Sequence, residues 1–468
     1  RRGALEEKSG DYANAEFSLR RALWAAEAGR HDEVAVDGLT LLLGVVGDRL
    51  ARHEDTKALT ERLTAALARL GDDNLRKAQA YNTIGRVYAS QGEYEEAVKL
   101  QLKAVRLGEQ LFDGGNHPVV ATFLLDLGQA HESLDHDDEA RARYERALAI
   151  LEESLGERHP DVAASMSNLG IQLRSADRHA EARALLERAL EIREEALGPE
   201  HPDVIASLNN LAGLLTAMNE HSDALAAYER ALARLEAAGG VDGEAGSDRK
   251  MEATIAYNIG LSHVFLRDEE AARRAFERSL ALFEGLYGDA NAYVAFPIEG
   301  IADTYLGEER YDEALAFFER ALAIRRETQG ADHPEYARSL SRIANIQRQR
   351  GALEEALALD REALAIYENR PDPFRIVVLL GLGETASKLG RDEEAIARFE
   401  EALALAKTNE NPLREASAAF ALAQALWKRP AARARALALA EAAEGVLIDK
   451  GSPDTAAAVV KWLGERRK

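Results

Sequence analysis

The chain has 468 residues, no cysteine and a formal net charge of −22 at pH 7. The missing cysteines exclude disulfides, thiol catalysis and thiolate metal sites, and the negative charge argues against nucleic acid as a partner because a phosphate backbone would be repelled. No apolar run approaches the roughly 18 residues of a membrane span, and no leader opens the chain. We therefore expect a soluble, cytoplasmic protein without a membrane partner.

Residues 1–31 introduce a pattern that the rest of the chain repeats. Gly3 is followed twelve residues later by Ala15, and Ala22 stands seven further on. The segment is predicted to be a truncated repeat unit, and the opening Arg-Arg predicts a fragment of a longer protein. An exposed apolar edge at Ala15 and Leu19 would then promote self-association. Residues 32–75 are predicted to form a degenerate unit, with Gly47 and either Leu59 or Ala58 near the expected positions.

Residues 76–237 and 250–411 repeat the pattern regularly, mostly every 42 residues. A small residue recurs, always twelve positions before an alanine. A third column lies four residues after each of these alanines. We call it the large-residue column, and it is polar only at Gln101 and Asp360. The three columns are Gly85, Gly128, Gly170, Ala212, Gly260, Ala302, Ala344 and Gly383; Ala97, Ala140, Ala182, Ala224, Ala272, Ala314, Ala356 and Ala395; and Gln101, Tyr144, Leu186, Tyr228, Phe276, Phe318, Asp360 and Phe399.

Each unit is predicted to be two helices. Leu208, Leu211, Ala212 and Leu215 have the i, i+3, i+4, i+7 spacing of an apolar helical stripe. The stretch "NEHS" interrupts this stripe, and a second one begins at Ala224. The chain should therefore be an all-α protein of about eleven helix-turn-helix units, in which the small residues let two helices approach closely.

A His-Pro pair opens four of the units. Proline suits the first position of a helix, and in three of the four units an acidic residue follows it, where it favours the positive end of the helix dipole. The pair is therefore predicted to be a device that starts a helix. The alternative, a histidine column that binds metal or senses pH, is disfavoured because the copies should lie one repeat apart, too far to share an ion. The histidines are His117, His159, His201 and His333.

Three irregular stretches remain. Residues 238–249 are Gly-rich and predicted to be a loop insertion, whereas 412–468 should hold an atypical unit and a capping helix. Asp360 should weaken packing unless it is exposed, and Pro371 and Pro373 follow it. We hypothesise a softer joint near Asn369, which hydrogen exchange over residues 357–380 would test.

The motifs "TIGRVYASQGEYEEAVKLQLKAV" and "IADTYLGEERYDEALAFFERAL" resemble the tetratricopeptide repeat. The 42-residue period, with its His-Pro joint, is similar to the repeats of kinesin light chains. This resemblance implies a right-handed α-solenoid whose first helices line a concave groove. The irregular stretches "LRRALWAAEAGRHDEVAV" and "FALAQALW" also resemble the C-terminal regions of large bacterial serine/threonine protein kinases.

In such solenoids, extended peptides or partner helices bind the groove stripe of the first helices. Asparagine there can grip a peptide backbone because it offers both a donor and an acceptor. Carried over unit by unit, the stripe is a mosaic of charges. The predicted groove residues are Asn82, Arg86, Gln129, Glu132, Ser167, Arg174, Asn209, Thr216, Tyr257, Glu299, Asp303, Arg338, Asn345 and Arg348, with Glu384 and Lys388 beyond them.

The leading hypothesis is a protein-interaction scaffold that binds a peptide or partner protein. Two alternatives stay open: the regulatory arm of a serine/threonine kinase whose catalytic domain lies upstream of Arg1, and a receptor for a signalling peptide. No catalytic, cofactor or metal motif stands outside the repeat, so the chain is predicted to be neither an enzyme nor a cofactor or metal protein.

Overall fold

The computed structural model describes residues 2–8, 12–50, 52–71, 74–238, 246–368, 372–409, 411–451 and 453–467. It divides into unit 1, Arg1–Asp248, and unit 2, Arg249–Lys468. The helices of residues 2–237 are α1 Arg2–Lys8, α2 Tyr12–Ala28, α3 Asp32–Gly44 with a π-helical extension Val45–Arg49, α4 His53–Arg69, α5 Asn74–Ser90, α6 Tyr94–Leu111, α7 Pro118–Glu132, α8 Asp137–Leu155, α9 Pro160–Ser175, α10 His179–Leu197, α11 Pro202–Ala217 and α12 His221–Ala237.

The remaining helices belong to unit 2, apart from the first three residues of α13. They are α13 Gly246–Phe265, α14 Glu269–Tyr287, α15 Ala292–Gly307, α16 Tyr311–Thr328, α17 Pro334–Gln349, α18 Leu353–Tyr367, α19 Arg375–Lys388, α20 Asp392–Thr408, α21 Pro412–Trp427, a short 3-10 turn Pro430–Ala432, α22 Arg433–Lys450 and α23 Pro453–Arg466.

Consecutive helices pack as pairs, and within each unit neighbouring pairs pack on each other. In unit 1, α5 packs on α6, α6 on α7 and α7 on α8; in unit 2, α15 packs on α16, α16 on α17 and α17 on α18. The described residues contain no β-strand. These contacts confirm the predicted all-α fold built from a run of helix pairs.

The small-residue column is where the two helices of a pair meet. A Cβ added to Gly128 would lie 2.6 Å from the ring of Tyr144, and one added to Gly260 would lie 2.6 Å from Phe276. The alanine column is equally enclosed, since Ala140 and Ala272 are both fully buried. The close helix approach expected from the sequence is therefore confirmed, and it explains the absence of larger side chains there.

The His-Pro pairs do start helices, and the histidine contributes more than the sequence suggested. In α11, Pro202 is the first helical residue, and Nδ1 of His201 accepts a hydrogen bond from the backbone N–H of Asp203 at 3.2 Å. His333 caps α17 through Glu335 in the same way. The histidine thus satisfies one of the N–H groups that a helix start leaves without a partner.

Two predictions are wrong, one about an exposed apolar edge in α2 and one about the extent of the Gly-rich loop. Ala15 and Leu19 are buried, at 0% and 4% exposure, because they face inward within the first helix pairs rather than forming an open edge. The exposed apolar residues of this region are Phe17 and Trp24, on the opposite face of α2. The predicted loop also ends early, because α13 already begins at Gly246.

Two stretches of interest lie outside the described residues: 239–245 in the Gly-rich insertion, and 369–371 at the hypothesised joint. At the C-terminus, α23 buries Val459 and Leu463 in a cluster with Phe420, whereas Val460 is 48% exposed. The last helix thus has one apolar face packed against the preceding pair.

Candidate functional site

The predicted groove residues lie on the first helices of successive pairs. In unit 1 they are carried by α5, α7, α9 and α11, and in unit 2 by α13, α15, α17 and α19. We call the exposed side of these helices the first-helix face. Each unit has a cleft on this face, and the two clefts differ in what surrounds them.

The cleft of unit 2 lies mainly between α17 and α19 and has a volume of about 420 Å³. Its apolar side chains are half-buried, so they are accessible without being part of the core. The lining residues are Leu306, Ser341, Arg342, Asn345, Arg348, Phe374, Val377, Leu380, Gly381 and Glu384. Of the predicted groove residues, Asn345, Arg348 and Glu384 are brought together here.

Arg348 is a structural residue rather than an exposed groove residue. Its side chain is 5% exposed, and its Nη2 donates to Oδ2 of the fully buried Asp360 at 2.6 Å. Its Nε donates to Oγ1 of Thr385 at 2.8 Å, and its Nη1 to Oδ1 of Asn345 at 3.2 Å. Arg348 therefore ties α17 to α18 and α19, with only its edge forming the cleft wall.

Asp360 is buried with a partner, so it does not leave an unpaired polar group in the packing of α18. Burial raises the pKa of the Asp360 carboxyl to about 7, although Arg348 opposes the shift. A Cβ at Gly381 would lie 2.6 Å from Nη2 of Arg348 and 2.9 Å from Oδ2 of Asp360. Glycine at this position of α19 is thus what leaves room for the ion pair.

Glu299 was predicted to line the groove, but it is the partner of a buried arginine. Nε and Nη2 of Arg325 each donate to Glu299 at 3.0 Å, and Arg325 is fully buried. The hydroxyl of Ser339 donates to the same carboxylate at 2.5 Å. The carboxylate of Glu299 consequently forms hydrogen bonds that join α15 to α16 and α17.

Asp303 and Arg342 form an ion pair that remains accessible on the first-helix face. Nη1 of Arg342 donates to both oxygens of Asp303, at 2.5 and 2.6 Å, and both side chains are about one-third exposed or more. Desolvation raises the pKa of the Asp303 carboxyl, with Arg342 acting in the opposite direction. Arg342 was not among the predicted groove residues, yet it lines the cleft.

Tyr257 and Arg338 flank this region. Burial raises the pKa of the Tyr257 hydroxyl to about 12, and the charge of Glu299 adds to the shift. Arg338 is 43% exposed, donates to Oε1 of Glu335 at 2.8 Å and lies 5.3 Å from the ring centre of Phe374. Both residues are accessible on the predicted face.

The cleft of unit 1 lies between α5 and α7, with a volume of about 290 Å³. It contains the predicted residues Arg86 and Gln129, and Asn82 stands beside it, donating to Oδ2 of Asp126 at 2.5 Å. The full lining is Arg86, Ala89, Ser90, Tyr94, Gln101, Asp126, Gln129, Ala130 and Ser133. This cleft is mostly polar, whereas that of unit 2 has an apolar side.

Two further predicted residues of unit 1 serve packing. Oε2 of Glu132 accepts a hydrogen bond from the Tyr144 hydroxyl at 2.9 Å, linking α7 to α8. Ser167 is 3% exposed and donates to the carbonyl of Ala163 at 2.9 Å. Both side chains are therefore engaged within their helix pairs, with Glu132 half-buried and Ser167 buried.

Arg174, Asn209 and Thr216 lie together on the first-helix face of α9 and α11, and all three are half-buried. Arg174 reaches across to α11, since a Cβ at Gly213 would lie 2.7 Å from its Nη1. Thr216 donates to the carbonyl of Ala212 at 3.0 Å. This group keeps the accessibility expected of a groove.

Sequence reasoning missed Phe374, Val377 and Leu380, the residues that make the unit 2 cleft apolar. A signal was available, because Val377 and Leu380 precede Gly383 by six and three positions, where most other units carry polar or small residues. An apolar residue on a solvent-facing stripe is a weak signal by itself. It becomes informative once α17 is seen to face it across the cleft.

A third cleft, of about 450 Å³, lies in unit 1 between α4 and α5, lined by Glu54, Thr56, Lys57, Thr60, Glu61, Val87, Tyr88 and Gln91. Its wall on α4 is made of charged and hydroxyl side chains and contains none of the predicted residues. Among the described residues, no group of three or more His, Asp or Glu side chains is placed to hold a metal ion. None of the described helices combines the length and apolarity needed to cross a membrane.

Comparison with known proteins gives the same architecture. A tetratricopeptide repeat model matches residues 76–153, 121–194, 161–237, 251–327 and 290–369, and a second model of the same description matches 378–413. Together these cover more than half of the chain.

Similar curated proteins include Protein KINESIN LIGHT CHAIN-RELATED 3 of Arabidopsis thaliana, 29% identical over 114 residues, or 24% of this chain and 18% of the relative. KINESIN LIGHT CHAIN-RELATED 2 of the same plant is 27% identical over 158 residues, or 33% and 24%. The aligned parts thus span less than a quarter of these two relatives' length.

Among solved structures, the apo form of the quorum sensor NprR from B. thuringiensis aligns with a TM-score of 0.53 at 15% identity, covering 81% of this chain and 99% of that one. A Rap protein complexed with Competence and Sporulation Factor aligns with a TM-score of 0.53 at 16% identity, covering 81% and 98%. At such identities the likeness shows the fold alone.

Proposed function

The chain belongs to the tetratricopeptide repeat family, and from that premise we propose that it is an interaction scaffold binding a peptide or partner segment along the first-helix face. The observation that carries this proposal is the unit 2 cleft, where apolar and polar side chains converge on about 420 Å³ of accessible space. In this proposal the chain itself is not an enzyme, and its work is recognition.

The cleft offers complementary chemistry to an extended peptide. Leu306, Phe374, Val377 and Leu380 can accept an apolar side chain of the ligand, which would remove apolar area from water on both sides. Asn345, on the opposite wall, can donate to and accept from a peptide group. Specificity would come from the polar rim and affinity from the apolar side.

A second candidate is a receptor for a signalling peptide. It is favoured by the fold shared with a Rap protein that was crystallised with Competence and Sporulation Factor. Ligand-induced compaction in small-angle scattering would distinguish such a receptor from a passive scaffold, which should keep its dimensions. The predicted link to a serine/threonine kinase and the predicted self-association stay predictions, to be tested by the upstream sequence and by light scattering.

The test of the scaffold proposal uses peptides selected on the full chain from a displayed random library. Fluorescence anisotropy then measures their affinity for the Val377→Glu variant, which places a charge in the apolar side of the cleft. We expect a loss of at least about tenfold, or about 1.4 kcal/mol.

Val460→Glu is the matched control, since Val460 is 48% exposed on α23 and lines none of the clefts described above. Its affinity should stay within about twofold of the unaltered chain, below about 0.5 kcal/mol. If the selected peptides bind Val377→Glu as tightly as Val460→Glu, this cleft is not the binding site. Arg174→Ala with Asn209→Ala examines the corresponding face of unit 1 in the same assay.

A further inference from the structure

Two buried arginines occupy equivalent positions in the repeat. Arg193 on α10 is 8% exposed, and Arg325 on α16 is fully buried. They are 132 residues apart, which is also the distance between His201 and His333. The residues around one arginine can therefore be compared, position by position, with those around the other.

Around Arg325, the charge is neutralised by carboxylates of the chain. Its Nε and Nη2 donate to the two oxygens of Glu299 at 3.0 Å each, the bidentate geometry in which arginine binds carboxylates most strongly. Nη1 lies 3.2 Å from Oε2 of Glu335, although it is not aligned for a hydrogen bond. The ring of Phe296 covers the guanidinium at 4.8 Å.

Around Arg193, the equivalent positions are smaller. Ser167 stands where the other cluster has Glu299, and Ala164 stands where it has Phe296. Nη1 of Arg193 donates to Oγ of Ser207 at 2.6 Å, with Oγ of Ser167 at 3.3 Å and the carbonyl of Asp203 at 3.4 Å.

The edge that binds Glu299 in the other cluster has no carboxylate here. Nε of Arg193 is buried without a hydrogen-bond partner. Across the described part of the chain, no carboxylate oxygen lies within 4.0 Å of Arg193. The hydrogen bonds of Arg193 go to neutral oxygens, and the Asp203 carboxylate acts on its charge without forming an ion pair.

This arrangement is costly for the isolated chain. A buried charge is strongly destabilising when no ion pair compensates for the water that it has lost. Burial lowers the pKa of the Arg193 guanidinium, while Asp203 partly offsets the shift. Arginine nevertheless stays protonated in proteins, so a bound anion would neutralise the buried charge of Arg193.

We propose that Arg193 binds a carboxylate supplied from outside the chain, in the place that Glu299 occupies beside Arg325. Ala164 and Ser167 are smaller than Phe296 and Glu299, which stand at the equivalent positions of the other cluster. The ligand group is an acidic side chain or C-terminus of a peptide on the first-helix face, or a free small carboxylate. The inference goes beyond the proposed function and is tested on the chain alone.

The experiment follows the Nε–Hε signal of Arg193 by nuclear magnetic resonance in the full chain, assigned by its loss in Arg193→Lys. Sodium acetate is titrated at pH 7 against sodium chloride at constant ionic strength. We expect a saturable shift in the unaltered chain and none in Ser167→Glu, whose new carboxylate occupies the site. Ser167→Glu should also raise the melting temperature, and the gain should persist without acetate.

Ser175→Glu is the matched control, because it adds the same charge at an exposed position of α9. It should keep the acetate response of the unaltered chain and gain no thermal stability. The proposal is overturned if acetate leaves the Arg193 signal unmoved, if inorganic phosphate at equal ionic strength shifts it as far, or if Ser167→Glu lowers the melting temperature.

Selected peptides distinguish the two sources of the carboxylate. If a peptide supplies it, replacing the peptide's acidic group by an amide weakens binding to the unaltered chain but not to Ser167→Glu. If amidation has no effect while acetate still binds, the ligand is a free carboxylate. A failure of peptide selection would count against the proposed function and leave the acetate result standing.

Discussion

Gln101 on α6 and Asp360 on α18 are the two polar members of the large-residue column, and their buried polar groups are accommodated differently. Both are buried, at 1% and 0% exposure. They differ in the first-helix residue that stands twelve positions before them. For Asp360 that residue is Arg348, whose guanidinium supplies a hydrogen bond at 2.6 Å. For Gln101 it is Ala89, and Oε1 of Gln101 has no partner.

Two other units show which residues can occupy the large-residue column and the first-helix position twelve residues before it. Tyr144 donates to Glu132 at 2.9 Å, whereas Phe318 and Leu306 belong to one apolar cluster. The two positions are both polar or both apolar in five of the eight units, and they are mixed in the units of Gln101 with Ala89, Leu186 with Arg174 and Phe399 with Ser387. The lesson is that a polar residue in a core column is tolerated when its partner twelve residues earlier matches it.

The largest expected effect comes from breaking the matched polar pair. Arg348→Ala leaves Asp360 buried without its counter-charge and should lower the free energy of unfolding by about 3 to 5 kcal/mol at pH 8. Denaturant unfolding measures the loss. The double variant Arg348→Leu with Asp360→Phe, copied from Leu306 and Phe318, should recover most of it. A double variant as unstable as Arg348→Ala would contradict the pairing rule.

The second effect is a pH dependence carried by Asp360. Because burial raises its pKa to about 7, the folded state holds a proton that the unfolded chain releases between about pH 4 and pH 7. Stability should fall as pH rises through this window, by up to about 1.4 kcal/mol per pH unit. Chemical unfolding from pH 4 to 8 measures the slope.

Asp360→Asn serves as the control for this pH dependence, since an amide does not titrate. The difference in unfolding free energy between the two proteins should change across the window. Parallel curves from pH 4 to 8 would show that Asp360 is ionised throughout, and that the Arg348 charge outweighs burial.

The third effect repairs the mismatch at Gln101. Gln101→Leu removes the amide without a partner and should raise the unfolding free energy by about 1 to 3 kcal/mol. Leucine fits, because Leu186 already packs against Gly170 as Gln101 does against Gly85. Gln129→Leu, the same change at an exposed site, should be nearly neutral. A loss of stability in Gln101→Leu would mean that the amide is satisfied, for instance by water.

The smallest effect should come from an exposed ion pair. Arg320 donates to Oε1 of Glu284 at 2.5 Å, but the two side chains are 41% and 28% exposed. Arg320→Ala should cost less than about 1 kcal/mol, because water already solvates both charges. The same unfolding assay allows a direct comparison of Arg320→Ala with Arg348→Ala. A comparable loss of unfolding free energy in both variants would show that burial does not decide how much an ion pair contributes to stability.

The sequence by itself determined the helices and their pairing. The 42-residue columns of glycine and alanine required two helices to approach closely, and proline at the first helical position marked where several helices begin. The resemblance to the tetratricopeptide repeat implied a groove on the first helices, where Asn345 and Arg174 lie half-buried. These features depend on spacing along one chain, which is visible in the sequence.

Only the tertiary structure decided which polar residues of that face are accessible. Glu132, Ser167, Glu299 and Arg348 share the helical position of exposed residues, yet they are partners of Tyr144, Arg193, Arg325 and Asp360. These partners lie 12 or 26 residues away on the facing second helix. The helical period fixes the direction in which a side chain points but not which side chains it contacts. The partner of a buried charge is therefore decided by how the helices pack.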